Sequence, residues 1–390
     1  MDSRSMTQPE AGSTWLQDWI TPRRIKKVVP IIGNSFYLNE LLGSETKLAE
    51  PPTNVGRPSD QELTVEERLT RLWSRSKNVQ YPMTDDYNLA RVALYLQVLK
   101  LKREFAREDY LEFLKNVLLS VNTESQNAVV RRLRANVSDL SFAEIVSQLG
   151  YTKPLESNDP LDKLANIPFS NYITTSYHDF LERALLKAER QPITQYLQVD
   201  NQGKVTAPIL DSTGKPLTAP ILDSQNNVLV DIPNLRGSKT YPVVYHLFGF
   251  ESAPESLVLS EGDYIHFLIS IVSDLLTPVT NSDGQERGLP RGLPMGLRTV
   301  LSSNSLFLLG YQLQDWDFRV LFRLIMQMRN DDEERGIFIQ IPPKGDLTEK
   351  ILDYLSKYFL QQRFGVEWKH PSEFVQDLWN IWEEGQQSYE

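Results

Sequence analysis

The sequence predicts an α/β protein: a mostly parallel sheet covered by helices on both faces, with a helical insert and a small β-ribbon insert. Two observations carry that expectation. Short, largely apolar runs, such as Val28–Ile32, Pro242–Phe248, Ser305–Leu309 and Gly336–Ile341, alternate with longer stretches at helical spacing. Strands buried on both faces and joined by helices read this way. Between about residues 61 and 155 the strand pattern drops out and helical periodicity alone remains, so helices are inserted between the first strand and the rest of the sheet.

The elements follow in order. Residues 1–27 are read as a flexible N-terminus, with a short helical turn at Trp15–Thr21. Val28–Ile32 is the first strand, closed by the tight turn Gly33-Asn34-Ser35. Residues 43–60, rich in Gly, Pro and polar side chains, form a long loop, and 43–155 as a whole is a loop plus a helical module. Within it Leu89, Val92, Ala93, Leu96, Val98, Leu99 and Leu101 mark a well-buried helix. Asp109–Leu119 is amphipathic, and Ser141 caps a helix that stops at Gly150. The core, 28–42 and 156–390, resumes with a strand at Tyr172–Thr175 and a helix at Asp179–Glu189. A ribbon fills 200–236, where Thr206–Ser212 recurs as Thr218–Ser224. Two copies are too few for a solenoid and read as a surface elaboration. Helices at about 260–276, 317–329, 347–360 and 371–383 and strands at 305–309, 336–341 and 366–369 complete the chain.

Bulk composition excludes several chemistries. The 390 residues contain no cysteine, so disulfides, thiolate metal sites and cysteine nucleophiles are out. Four histidines make a histidine-rich metal site unexpected, and no metal is expected. A net charge of -10 argues against direct nucleic-acid binding, which needs phosphate neutralisation. With no apolar stretch of membrane-spanning length and no apolar leader, a cytoplasmic protein without membrane contact is expected.

Four segments hold polar groups where strands end, the place at which parallel sheets take ligands. Gly33-Asn34-Ser35 follows a strand, and the glycine lets the backbone approach a phosphate with Ser35 as a further donor, or it is a plain strand-end turn. Thr174, Thr175, Ser176 and His178 follow the second strand; His178 is a base, a ribose contact or a helix-start residue facing solvent. His246 lies in an apolar strand, where a hydrogen-bonded core role outweighs a catalytic one. Gly310 and Tyr311 close the Ser305–Leu309 strand, and Asp315 either caps the next helix or borders the ligand, with Arg319 placed to pair with it.

Three stretches, Ile167–Leu185, Glu255–Tyr264 and Leu308–Leu321, resemble in order and spacing the sirtuin-like domains of bacterial anti-phage systems. The resemblance implies a Rossmann-like domain with a helical module and NAD in the cleft between them. It implies hydrolysis of NAD to ADP-ribose and nicotinamide, a homo-oligomer, and a sensor partner such as an ATPase or an Argonaute-like protein. On that basis His246, His178 and Ser176 are the candidate catalytic residues. Gly33, Asn34, Ser35, Thr174, Thr175, Gly310, Tyr311 and Asp315 are the candidate NAD contacts. The chain departs from the family pattern. Thr-Thr-Asn-Tyr-Asp is here Thr174-Thr175-Ser176-Tyr177-His178, Gly-Ala-Gly is Gly33-Asn34-Ser35, and the histidine that precedes a glycine is Phe248. Losing a proton-transfer group typically costs ~100- to 10,000-fold in rate, so the alternative is a degenerate module that binds NAD or ADP-ribose as a sensor or scaffold. Sirtuin deacylases carry a cysteine-based zinc module, which this chain cannot build.

Overall fold

The structure is a computed structural model that describes residues 20–21, 23–42, 63–77, 81–83, 85–99, 102–121, 128–149, 159–232, 235–276, 293–312, 315–328, 336–341, 348–361 and 364–387. Most of the expected Trp15–Thr21 turn and of the flexible N-terminus, the 43–60 loop and Gly150 fall outside these.

Among the described residues twelve strands form, in chain order β1 (Val28–Ile32), β2 (Asn171–Thr174), β3 (Ile193–Tyr196), β4 (Gln198–Val199), β5 (Val205–Thr206), β6 (Ile209–Leu210), β7 (Ile221–Leu222), β8 (Val228–Val230), β9 (Val243–His246), β10 (Ser305–Leu309), β11 (Gly336–Gln340) and β12 (Phe364–Trp368). Eight of them make one sheet in the order β12-β11-β10-β1-β2-β9-β3-β6. Every neighbouring pair is parallel except β3 with the short edge strand β6. The expected mostly parallel sheet is therefore present. Two of its features are not announced by the sequence pattern. β3 is half polar (Ile193-Thr-Gln-Tyr196) and carries no apolar run. β9 slots between β2 and β3, a crossover that only tertiary pairing decides.

Side-chain alternation sends the strands' apolar groups to two separate cores. Val28, Ile32, Tyr172, Val244, Phe307 and Leu309 join one, with Leu181 and Leu185, with Phe374 and Leu378, and with Leu69, Trp73, Leu96, Tyr110 and Ile145 of the helices between residues 65 and 149. Val29, Ile31, Ile173, Tyr245, Leu306, Leu308 and Phe338 join the other, with Phe267, Leu297, Leu321, Ile325 and Phe359. Helices thus cover both faces, and the helical segment packs on the same face as the helix Phe180–Lys187.

The expected cap at Ser141 forms, and the structure adds a second at Thr64. Ser141 and Glu144 exchange side-chain-to-backbone hydrogen bonds of 3.2 and 2.8 Å, and Thr64 and Glu67 form a reciprocal capping box at Val65–Ser76. The Leu89–Leu99 helix departs from expectation at one end. Its Val92, Ala93 and Leu96 are buried, but Val98 and Leu99 are exposed, because the last turn runs past the body it packs on.

The ribbon is larger than the two-copy repeat. Three Asp-led turns recur: Asp200, Asp211 and Asp223 each accept from the backbone N–H groups two and four residues on, at 2.8–3.0 Å. Gly203, Gly214 and Asn226 supply the positive φ each turn needs. The first turn, at Asp200, stands outside both copies of the repeat because no Thr-Ala-Pro-Ile-Leu lead precedes it.

Candidate functional site

The strands that matter end in line. In register, Leu309 of β10 sits beside Ile32 of β1, Ile32 beside Thr174 of β2, and Thr174 beside His246 of β9. The chain leaves β1 toward β2 on one side, while β10 lies on the other. The carboxyl ends of β1 and β10 therefore flank a topological switch point, where open α/β sheets bind ligands. All four expected segments meet along this rim.

At the switch point the backbones touch. The Gly33 N–H donates to Leu309 O at 2.8 Å. A Cβ on Gly33 would fall inside contact distance of the Gly310 carbonyl, and one on Gly310, whose φ is +74°, would stand 2.6 Å from the Phe36 Cβ. Both glycines are needed for this close approach. The helix Asn34–Leu42 starts here. Its first two side chains point to one carboxylate: Asn34 Nδ2 donates to Glu66 Oε1 at 3.0 Å, and Ser35 Oγ donates to Glu66 Oε2 at 2.7 Å. Glu66 belongs to the first turn of Val65–Ser76 and is only partly buried, whereas Asn34 and Ser35 are buried. Burial raises the Glu66 carboxyl above its ordinary range, against the lowering by Ser35 and Asn34. Asn34 Oδ1 is buried with no hydrogen-bond partner.

Beside it lie two more carboxyls. Burial, then the charges of Asp317 and Glu66, push Asp315 up to about 9. Burial, then Glu66, pushes Asp317 up to about 7. Asp315 accepts from the Gln312 N–H at 3.3 Å, and its carbonyl takes the Arg319 N–H at 3.1 Å. The expected Arg319–Asp315 side-chain pair does not form; Arg319 is exposed. Thr175 Oγ1 donates to Tyr311 Oη or to Asp317 Oδ2, at 3.2 and 3.3 Å.

The other half of the rim is tied into the core. Thr174 Oγ1 donates to Ile32 O at 2.8 Å and lies 3.0 Å from Ser176 Oγ. The Arg190 guanidinium binds the carbonyls of Lys239, Ala165, Ile167 and Phe169 and the Tyr172 hydroxyl, which fixes the start of β2. His246 is fully buried. Its Nδ1 lies 2.8 Å from Ser176 O and its Nε2 2.8 Å from Glu182 Oε1, which also accepts from Thr194 Oγ1 at 2.8 Å. Both ring nitrogens face acceptors, so neither offers a lone pair to a ligand. The core reading of this histidine is the one realised in these contacts.

His178 does not face solvent; it is 2% exposed. Its ring packs 4.1 Å from Phe180 and edge-on to Tyr37 at 4.6 Å. Neither nitrogen has a hydrogen-bond partner. Burial, then the neighbouring His246, lowers its pKa well below the usual histidine value. It borders a small apolar cavity with Leu69, Leu114 and Phe142 of the helical segment. Phe248 is packed edge-on against Tyr264 and Phe267, each at 5.2 Å, on the opposite face from His246.

The Glu255–Tyr264 stretch holds the two parts together. Ser260 and Asp263 cap the helix Glu261–Leu276 reciprocally, and Asp263 pairs with buried Arg107 at 3.0 Å.

Sequence reasoning missed Glu66, Glu182 and Asp317. Each is a charged residue in the first turn of a helix, where a solvated side chain is the ordinary expectation.

The architecture is that of a doubly wound α/β domain with its polar rim at the switch point. Residues 170–362 match the SIR2-like domain family, so the chain carries a SIR2-like domain over that span, which implies NAD as ligand. β1 and β12 lie outside the span yet belong to the same sheet. Among curated proteins none matches the chain. Among the described residues no group of three or more His, Asp or Glu side chains is disposed to hold a metal, and no helix is long and apolar enough to cross a membrane.

Proposed function

We propose that this chain binds NAD or ADP-ribose at the rim between β1 and β10, as a sensor or assembly module. Gly33, Asn34 and Ser35 would hold the diphosphate, and Thr175, beside Tyr311 and Asp317, the nicotinamide ribose. Gly310, Tyr311 and Asp315 would border the ligand from the other side. The observation that carries the reading is the meeting of Gly33 and Gly310 beside a helix start at the switch point, because such a start favours anions. Binding is preferred to turnover because His246 has both nitrogens engaged and Phe248 stands in the place of the family's histidine. Calorimetric titration of NAD into the chain, with chromatography of the recovered nucleotide, tests it. Binding with NAD recovered intact is expected; no heat with NAD or ADP-ribose would remove the reading.

One observation favours the second reading, an NAD glycohydrolase that yields ADP-ribose and nicotinamide. Asp317, at about 7, titrates near neutrality beside Thr175. A carboxyl so poised suits proton transfer, and its anion suits the positive charge that builds on the ribose. Nicotinamide release that disappears in Asp317→Asn would establish it. The family resemblance is what supports an anti-phage role, a homo-oligomeric state and an ATPase or Argonaute-like sensor partner as further parts of this proposal. Activity assays in the presence of proteins encoded beside this one test them.

A further inference from the structure

The first-turn N–H groups of a helix lack intrahelical acceptors and present a partial positive charge. At Asn34–Leu42 that end is completed by two neutral donors, Asn34 Nδ2 and Ser35 Oγ, both buried. What they hold is an anion brought from elsewhere in the chain: Glu66, from a helix whose start is set by its own capping box at Thr64 and Glu67. A carboxylate and a phosphate make the same demands on such a place, so one excludes the other. The contact is also opposed. Asp315 and Asp317 both feel the Glu66 charge, and Asn34 Oδ1 beside it has no partner. Glu66 itself keeps some solvent exposure, while everything beneath it is closed.

We infer that Glu66 is a built-in stand-in for the ligand's diphosphate, and that its contact with Asn34 and Ser35 holds the rim in a self-blocked state. The inference rests on the dinucleotide reading above and adds what must leave before a ligand enters. Withdrawal of the first turn of Val65–Ser76 frees the two donors. Because that turn belongs to the helical segment, whatever pulls on the segment controls access.

The experiment is calorimetric titration of ADP-ribose into the full chain, Glu66→Gln and Glu66→Ala. Removing the resident carboxylate is expected to tighten binding by about 10- to 100-fold, the range of ordinary coupling between sites. Glu66→Gln, which keeps an acceptor but no charge, is expected to fall between. Equal affinities for all three overturn the inference and leave the dinucleotide reading standing; no binding by any of them overturns both. Should Glu66→Ala fail to fold, amide exchange in the unaltered chain decides. Saturating ADP-ribose is expected to speed exchange at 65–69, and unchanged exchange there with ligand bound would overturn the inference.

Discussion

The two halves of the rim satisfy their polar groups in opposite ways. On the β2–β9 side, Thr174, Ser176, His246, Glu182 and Thr194 answer one another from strands and a helix of the same core. On the β1–β10 side, Asn34 and Ser35 are answered by Glu66, from a helix joined to them by a long stretch of chain. The first arrangement cannot be opened without breaking the fold. The second can be opened by moving one helical turn. A ligand site in this molecule belongs where the partners are separable, and that is the switch point.

The largest effect should come from the inseparable half. Orphaning a buried hydrogen-bonding group typically costs ~1–3 kcal/mol, and truncating a buried ring adds a cavity for a total of ~3–5 kcal/mol, so His246→Ala should lower the unfolding free energy in urea by about 3–5 kcal/mol and Glu182→Ala by about 1–3 kcal/mol. A loss below ~1 kcal/mol in both would erase the contrast. Gly310→Ala comes next. Its positive φ and the nearby Phe36 Cβ leave no room for a methyl, and strained backbone of this kind costs ~1–3 kcal/mol. Loss of ADP-ribose binding together with that destabilisation is expected, and full retention of both would show that the two glycines need not touch.

A smaller effect concerns pH. Asp315 holds its proton up to about 9 in the folded chain, against ~3.9 for an unperturbed aspartate. Between those values the folded state carries the extra proton, so stability falls as pH rises. Asp315→Asn removes that slope. The difference in Tm between variant and parent should move in the variant's favour from pH 6 to pH 9, and a constant difference would contradict the assignment. The smallest expected effect is on turnover in Phe248→His. That side chain lies on the face away from His246, among Tyr264 and Phe267, so restoring an imidazole there should not raise nicotinamide release. A rise would mean that this strand end turns over to reach the rim.

Much of the fold is legible in the sequence because buried parallel strands leave continuous apolar runs. Val28–Ile32 and Ser305–Leu309 show this, each buried at every position. β3 is not legible, since Thr194 and Gln195 point to partners that only the folded chain supplies. The rim positions Gly33, Ser35, Thr174, Ser176, His246 and Gly310 are readable as polar residues where strands end. Their partners are not. Glu66 looks like any acid in a helix's first turn, and only the approach of two helices distant in sequence turns it into the anion at the rim. His178 shows the same limit in reverse. It reads as a polar residue at a helix start, yet Tyr37, Phe142 and Phe180 close around it.

A crystal structure grown with ADP-ribose tests the central claim most directly. The account predicts diphosphate density against the Gly33–Ser35 backbone, facing Gly310, with the Glu66 carboxylate moved off Asn34 and Ser35. Nucleotide density elsewhere on the molecule, with the Glu66 contacts intact, would contradict it.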